Sequence, residues 1–236
     1  MILLIICKIL HTIGDKMKVF IDIVLMSIIN GELGVLLIKR NREPFLSRWA
    51  LPGGYIPEDM NLDEAANFQL EREIGLKNIY IEQLYSFGDV SRDPRGRTIS
   101  VSYLALVDHK KIEALVTEES QDVKWIRLSK LPKLAFDHSK IVKFAQKRII
   151  NKIRYTRVGF DLVGDTFTMN ELVSTFETII GESIDQSNLR KKLLKLDVID
   201  ETDDKVVSGK GRPSPIFKLN RKVLGKLPIT ETFFKL

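Results

Sequence analysis

A glycine loop runs directly into a capped helix at residues 52–76, PGGYIPEDMNLDEAANFQLEREIGL, and this segment constrains the fold more than any other. Asn61 followed by Glu64 reads as a capping box with Asn in place of the usual Ser or Thr, and Gly75 supplies the stop. Upstream, Val19–Ile29 and Leu33–Ile38 are apolar and β-branched, and Asn30-Gly31 between them is a two-residue hairpin signal. Lys39–Arg48 is basic, contains Pro44 and reads as a loop, after which Trp49–Leu51 restarts a strand that ends at Pro52-Gly53-Gly54. Downstream, Ile79–Gly88, Ile99–Val107 and Val123–Leu128 read as strands, with a charged turn, DVSRDPRGRT, at 89–98. A strand-rich chain with one inserted helix predicts a mixed sheet packed between helices.

At 236 residues the chain has room for one large domain or two ordinary ones. The net charge of +6 does not by itself point to nucleic acid, so the placement of the charge matters more. Cys7 is the lone cysteine, which excludes a disulfide framework within the chain, and His11, His109 and His138 have no zinc-ligand spacing. A reducing cytoplasm is the simplest setting. The apolar start, MILLIICKIL, is too short to span a bilayer, and the following HTIGDK is a poor cleavage site. Met17 directly precedes the first strand, so residues 1–16 read as a variable arm or a mis-assigned start.

From Leu134 the pattern becomes helical. Asp137 is a candidate cap, and Ile141, Phe144, Ala145, Ile149 and Ile153 recur at helical spacing. The polar face carries Lys140, Lys143, Lys147, Arg148, Lys152 and Arg154 without an acid, which alone reads as a solvated face. Gly159–Gly164 is a loose junction, and the boundary falls near residue 157. The expected units are 17–137, a connecting basic helix at 138–157, and a second domain at 158–236. In that second part Thr168 with Glu171 forms a capping box for a helix ending at Gly181. Asp185 or Ser187 starts another helix, Val198–Glu201 and Ile216–Leu219 read as short strands, and a polar loop with Gly209, Gly211 and Pro213 joins them. Helix, turn, helix and β-ribbon is the layout of a winged helix-turn-helix.

Charge in this part is focused. Arg190, Lys191, Lys192 and Lys195 lie on the second helix, and Lys205, Lys210, Arg212, Lys218, Arg221, Lys222 and Lys226 follow, while the acids gather at Asp200, Glu201, Asp203 and Asp204. Both basic runs fall where a winged helix meets phosphates. Ser187, Asn188 and Lys191 sit where recognition helices reach base edges; Arg190 or Lys191 suits guanine and Asn188 suits adenine. Arg212 suits a wing tip, with Lys210 beside it. A protein-binding winged helix with a solvated basic face is the competing reading.

The loop and helix at 52–76 resemble the Nudix box. Anchored on Gly54 and Gly75-Leu76, the box's carboxylate and arginine positions become Met60, Phe68, Gln69 and Arg72, and only Glu73 keeps a glutamate. Hard cations need several oxygen ligands, so catalytic and metal residues are expected to be absent. Glu71 lies two positions from Glu73 on another side of the helix, and a contact of Glu73 with Arg72 or a loop cation is expected instead. The whole order of segments resembles the Nudix-related transcriptional regulators, NrtR. The resemblance is carried by LLIKRNREPFLSRWALPGGYI, YIEQLYSFGDVSRDPRGRTISVSY, LAFDH at 134–138, and RKKLLKLDVIDET followed by GKGRPSPIFKL. It implies a Nudix-like α/β/α sandwich with a mixed sheet followed by a winged helix, an α+β chain overall. It also implies a homodimeric regulator, a repressor, that binds an operator in double-stranded DNA and is released by ADP-ribose or a related NAD-derived nucleotide.

No cofactor is required on this reading; the small molecule is an effector. Lys39, Arg40, Arg92, Arg95 and Arg97 are the nearby cations for a diphosphate, and Gly53-Gly54 offers unobstructed amides. Asp93 suits ribose hydroxyls, and Trp49, Tyr55 or Phe87 suits a base. The ordinary alternative makes Trp49 core and residues 91–97 a salt-bridged turn. Two rivals remain: a regulator of the same type that senses a sugar such as arabinose, and a divergent hydrolase of ADP-ribose or another nucleoside diphosphate.

Overall fold

The structure is a computed structural model that describes residues 17–77, 79–109, 122–153, 157–207 and 213–226. Strands β1 (Lys18–Ile29) and β2 (Glu32–Lys39) form the expected hairpin, with Asn30 and Gly31 both at positive φ, 49° and 75°. That is the conformation a two-residue turn of this kind requires. Short strands β3 (Trp49–Ala50) and β4 (Gly53–Tyr55) follow, then helix α1 (Leu62–Ile74), β5 (Glu82–Phe87), β6 (Thr98–Leu106) and β7 (Val123–Arg127). The sheet runs β3-β2-β1-β6-β5, with β4 added to β1 and β7 to β2. The β1–β6 pair is parallel and the others are antiparallel, so the sheet is mixed as expected.

Strand β1 buries both faces, which explains its unbroken apolar run. Ile21, Ile23 and Leu25 pack with Leu36 against Ala65, Ala66, Leu70 and Ile74 of α1. Val24 and Met26 point the other way, into a cluster with Ile141, Val142, Ala145 and Ile149 of helix α2 (His138–Ile153). Helix α2 is therefore the second helical layer of an α/β/α sandwich as well as the link to the last domain. Its basic face is partly tied down: Lys152 pairs with Glu82, and Arg148 Nη2 donates to the Leu84 carbonyl at 3.2 Å. Asp137 does not serve as the expected side-chain cap. Both of its carboxylate oxygens accept from Arg92, at 3.2 and 2.9 Å, while its backbone carbonyl takes the first amides of α2.

After a 3-10 turn at Arg157–Leu162 come β8 (Thr166–Thr168), α3 (Met169–Ile180), α4 (Gln186–Lys195), β9 (Ile199–Val206), β10 (Ser214–Leu219) and α5 (Arg221–Lys226). The three strands form a sheet ordered β8-β10-β9, which completes a winged helix. Thr168 and Glu171 form the expected reciprocal capping box, Gly181 closes α3 at φ 76°, and Asp185 rather than Ser187 caps α4. Three features differ from expectation. Strand β5 starts at Glu82 rather than Ile79, because Ile79 and Ile81 pack on the sheet's second core without joining the ladder. Strand β9 extends to Val206, carrying the exposed acids Asp200, Glu201, Asp203 and Asp204, since pairing with β10 satisfies its backbone whatever its side chains are. Strand β8 and helix α5 are not expected from the spacing of residues; β8 is three residues long and exists through its pairing with β10. No helix among the described residues is long and apolar enough to cross a membrane.

Candidate ligand site and nucleic-acid interface

The loop that opens the site is held down by glycine. A Cβ on Gly53 would stand 2.1 Å from the Ile21 carbonyl oxygen, so only glycine lets β4 lie against β1. This packing leaves Gly53 and Gly54 at the edge of a cavity of about 230 Å³. Its walls include Phe20, Asp22, Lys39, Arg40, Arg42, Glu73, Arg95, Phe136 and His138. A second cavity of about 120 Å³, lined by Asp93, Arg95, Arg97 and Thr98, shares Phe20 and Arg95 with the first. The two lie side by side at the turn at 89–97, on either side of the Phe20 and Arg95 they share, and are together called the cleft below.

Cations and aromatic faces alternate in this cleft. The Arg40 guanidinium lies 4.8 Å from the Phe136 ring centre, and that of Arg95 lies 5.5 Å from both Phe20 and Phe136. Phe45 meets Phe136 edge-on at 4.9 Å. Phe136 sits at φ 49°, a left-handed conformation that a bulky residue rarely adopts. Burial first, and then the neighbouring charges of Arg42 and Arg95, lower the pKa of Arg40. Such crowding of positive charge is relieved by an anion.

Behind the cleft lies a buried charged cluster whose members are far apart along the chain. Arg92 is 6% exposed, and its guanidinium reaches Asp22 at 3.1 Å and Asp137 at 2.9 Å. Ser100 Oγ donates to the same Asp22 oxygen at 2.6 Å. His138 Nδ1 accepts from the Leu51 amide at 2.9 Å, leaving Nε2 facing Asp22 Oδ1 at 3.3 Å. Burial alone would raise the Asp22 carboxyl, but His138, the Arg92 charge and the Ser100 hydroxyl outweigh it. They hold it well below the usual carboxylate range. The cluster joins β1, the 89–97 turn and the first turn of α2.

The residues singled out from sequence therefore separate into groups. Lys39, Arg40, Gly53, Gly54 and Arg95 line the first cavity, and Asp93 and Arg97 line the second. Arg92 lines neither and holds the buried cluster. Asp93 is itself 5% exposed, and both of its oxygens are taken by Arg95, at 3.0 and 2.7 Å, so the pair orients the arginine. Trp49 packs on the main core, and Phe87 is buried against Phe144 of α2. Tyr55 remains half-exposed beside Phe20. Phe20, Asp22, Arg42, Phe136 and His138 were not anticipated as site residues. Asp22 carries a legible signal, a lone acid in an apolar strand; the position of Phe136 depends on a backbone conformation that no spacing reveals.

The box positions show how the helix is used. Met60 packs on the second core. Gln69 is fully buried, donating to the Tyr55 carbonyl at 2.9 Å. Arg72 bonds Glu73 through Nη2 at 2.7 Å and Nε at 3.1 Å and lies 5.7 Å from the Phe68 ring. Glu71 is paired away, with Lys77 at 2.6 Å. Among the described residues, no three His, Cys, Asp or Glu side chains are grouped to hold a metal ion.

On the winged helix, α4 presents Ser187, Asn188, Arg190 and Lys191 to solvent, and Lys192 is half-buried. Asn188 donates to its cap, Asp185, at 2.8 Å. Arg190 is tied to Glu201 of β9 at 2.7 Å and lies 5.5 Å from the Phe217 ring. Lys210 and Arg212 lie outside the described residues.

The family model for the NUDIX domain matches residues 20–145, and that for the NrtR DNA-binding winged helix domain matches residues 159–219. The "ADPR responsive transcriptional repressor NtrR" of Acinetobacter baylyi is 35% identical over 202 residues, covering 84% of this chain and 80% of that protein. The chain belongs to the NrtR family. Among solved NrtR structures, that of Shewanella oneidensis NrtR with a 27mer DNA superposes with a TM-score of 0.77 at 32% identity, over 88% of this chain and 95% of that one. The NUDIX domain of the same Shewanella NrtR complexed with ADP ribose matches with a TM-score of 0.51 at 33% identity, over 61% of this chain and 97% of that one. Both halves of the NrtR layout, the Nudix sandwich and the winged helix, are thus present in this chain.

Proposed function

We propose that this protein is a transcriptional repressor whose winged helix binds operator DNA and whose Nudix domain binds ADP-ribose or a related NAD-derived nucleotide without hydrolysing it. The observation that carries the reading is the cleft at Phe20, Arg40, Arg95 and Phe136. It supplies guanidinium groups for a diphosphate between flat faces for a base or ribose, and two neighbouring cavities that share Phe20 and Arg95 for a two-ended ligand. The names and ligands of the relatives support the same reading. The box positions favour binding over turnover, because one glutamate already bonded to an arginine does not assemble an ion against a pyrophosphate. The protein acts as a homodimer in the cytoplasm, matching its two-fold symmetry to a two-fold operator.

Release from DNA follows from a population shift. A ligand in the cleft contacts Phe136, whose chain neighbours Asp137 and His138 belong to the buried cluster and lead into α2. Helix α2 shares one apolar core with α3 of the winged helix, through Ile149, Ile153, Leu172 and Phe176. A ligand that prefers one setting of α2 thereby favours one placement of the paired winged helices. A coupling of about 3 kcal/mol, within the usual range, changes DNA affinity about a hundredfold.

The decisive experiment is fluorescence anisotropy on labelled upstream DNA at fixed salt, with ADP-ribose or arabinose added. Competitor-resistant binding released by ADP-ribose alone establishes the reading, and release by arabinose alone replaces the effector. Weak binding that disappears with modest salt removes the repressor. Product analysis of the ADP-ribose mixture tests hydrolysis in parallel.

A further inference from the structure

The Nudix fold implies a divalent cation, and the side chains present here do not fit one. Met60 and Phe68 offer no ligand atom suited to a hard ion, and Gln69 is buried with its amide nitrogen on the Tyr55 carbonyl. The one glutamate kept at the box positions, Glu73, lines the cavity but already has a cation: Arg72 places two nitrogens on its Oε1, at 2.7 and 3.1 Å. Gly54 makes room for this arrangement. A Cβ there would lie 3.0 Å from Arg72 Nη2 and 2.8 Å from Gln69 Oε1. The guanidinium thus lies beside the glycine loop that borders the cavity, next to the lining residue Glu73 and 5.7 Å from the Phe68 ring, while Arg72 itself is not one of the lining residues.

We propose that Arg72, clamped by Glu73 over Gly54, is a resident cation that replaces the divalent ion, so that the cleft binds a diphosphate ester in the absence of metal. This rests on the reading that the cleft takes a nucleoside diphosphate. The substitution is chemically selective. A guanidinium neutralises phosphate charge and donates directed hydrogen bonds to its oxygens. It has no open coordination position and does not lower the pKa of a bound water as a metal does. The cleft therefore keeps attraction for the ligand and loses the means of attacking it. For a sensor, occupancy then reports the nucleotide concentration alone and is indifferent to free magnesium. Arg40, Arg42 and Arg95 line the cavity and supply the remaining positive charge.

The test uses the full-length protein and two readouts. Calorimetric titration with ADP-ribose, and separately with inorganic pyrophosphate, is run in EDTA and in millimolar magnesium chloride. Mn²⁺ binding by electron paramagnetic resonance is measured without nucleotide. The wild type is expected to bind equally in both buffers. Arg72→Gln is expected to lose about tenfold in EDTA, the size of one charge-assisted hydrogen bond, while Arg72→Lys keeps most of the affinity. Arg72→Glu, which pairs a second carboxylate with Glu73, is expected to gain a Mn²⁺ site over the wild type and to bind ligand better with magnesium than with EDTA. Wild-type binding that requires magnesium, or Arg72→Gln that matches the wild type in EDTA, overturns the proposal. Pyrophosphate binding without ADP-ribose binding removes the nucleotide reading and leaves the resident cation standing; failure of both ligands overturns the two together. Arg72 is solvent-exposed on α1, so thermal melts of Arg72→Gln and Arg72→Lys should stay close to the wild type, while Arg72→Glu, with two carboxylates side by side in the last turn, should melt lower without magnesium or manganese and recover with them.

Discussion

Asp22 is the lone acid in the apolar run Val19–Ile29, and it is 7% exposed. A carboxylate is tolerated there because Arg92, His138 and Ser100 all reach it. Asp22→Asn leaves Arg92 buried with one partner fewer and is expected to cost about 3 kcal/mol in urea unfolding at neutral pH. The folded-state pKa of Asp22 is depressed, so its contribution is fully present above the ordinary carboxylate range and is lost as pH falls through it. The wild type should therefore lose stability faster than Asp22→Asn below pH about 4; parallel curves would contradict this. On α4 the two candidate guanine contacts differ. Arg190 is neutralised by Glu201, whereas Lys191 is exposed beside it. Lys191→Ala is expected to weaken operator binding and lower its salt slope by about one, while Arg190→Ala weakens binding without that fall in slope. Equal slopes for the two variants would refute the distinction.

At the scale of elements, local chemistry placed most ends correctly. Asn61 with Glu64 and Thr168 with Glu171 form reciprocal capping boxes, and Gly75 and Gly181 close their helices in the left-handed conformation. These signals are legible because each lies within four residues of what it controls. Thr168→Ala is expected to cost about 1 kcal/mol, a fall in melting temperature of about 2–4 °C; an unchanged melt would mean that tertiary packing alone holds α3. Where elements depend on distant partners, spacing failed. Strand β9 runs through DETDDK, a sequence of low strand propensity, because β10 pairs with it. Asp137 stands where a cap belongs, yet Arg92, 45 residues away in the chain, takes both its oxygens.

For the whole molecule, two helical layers flank a sheet whose central strand is buried on both sides, and the winged helix, with its own three-stranded sheet, shares the apolar core on one of those sides. One apolar cluster runs from Val24 and Leu37 through Ile149 and Ile153 to Phe176, Leu193 and Phe217. Units joined by such a core are expected to unfold together. Calorimetry should show one transition, and two well-separated transitions would show that the winged helix is hinged freely and that α2 does not couple it to the cleft. The same continuity gives the ligand a route to the DNA-binding face without a long-range mechanism of another kind.

The sequence by itself determined the hairpin, the capped helices, the order of the two domains and the lost carboxylates of the box, since each is written in residues close together along the chain. It also pointed to Lys39, Arg40, Gly53, Gly54 and Arg95, which the fold brings to one cavity. Only the tertiary structure decided that Arg92 is buried while Arg95 faces the cleft, that Phe136 takes a left-handed conformation between two arginines, and that Asp22 meets His138. Neighbouring arginines in one turn are alike in sequence. They acquire different roles only when a sheet and a helix bury one of them, because removing a guanidinium from water demands carboxylates that the rest of the chain must bring.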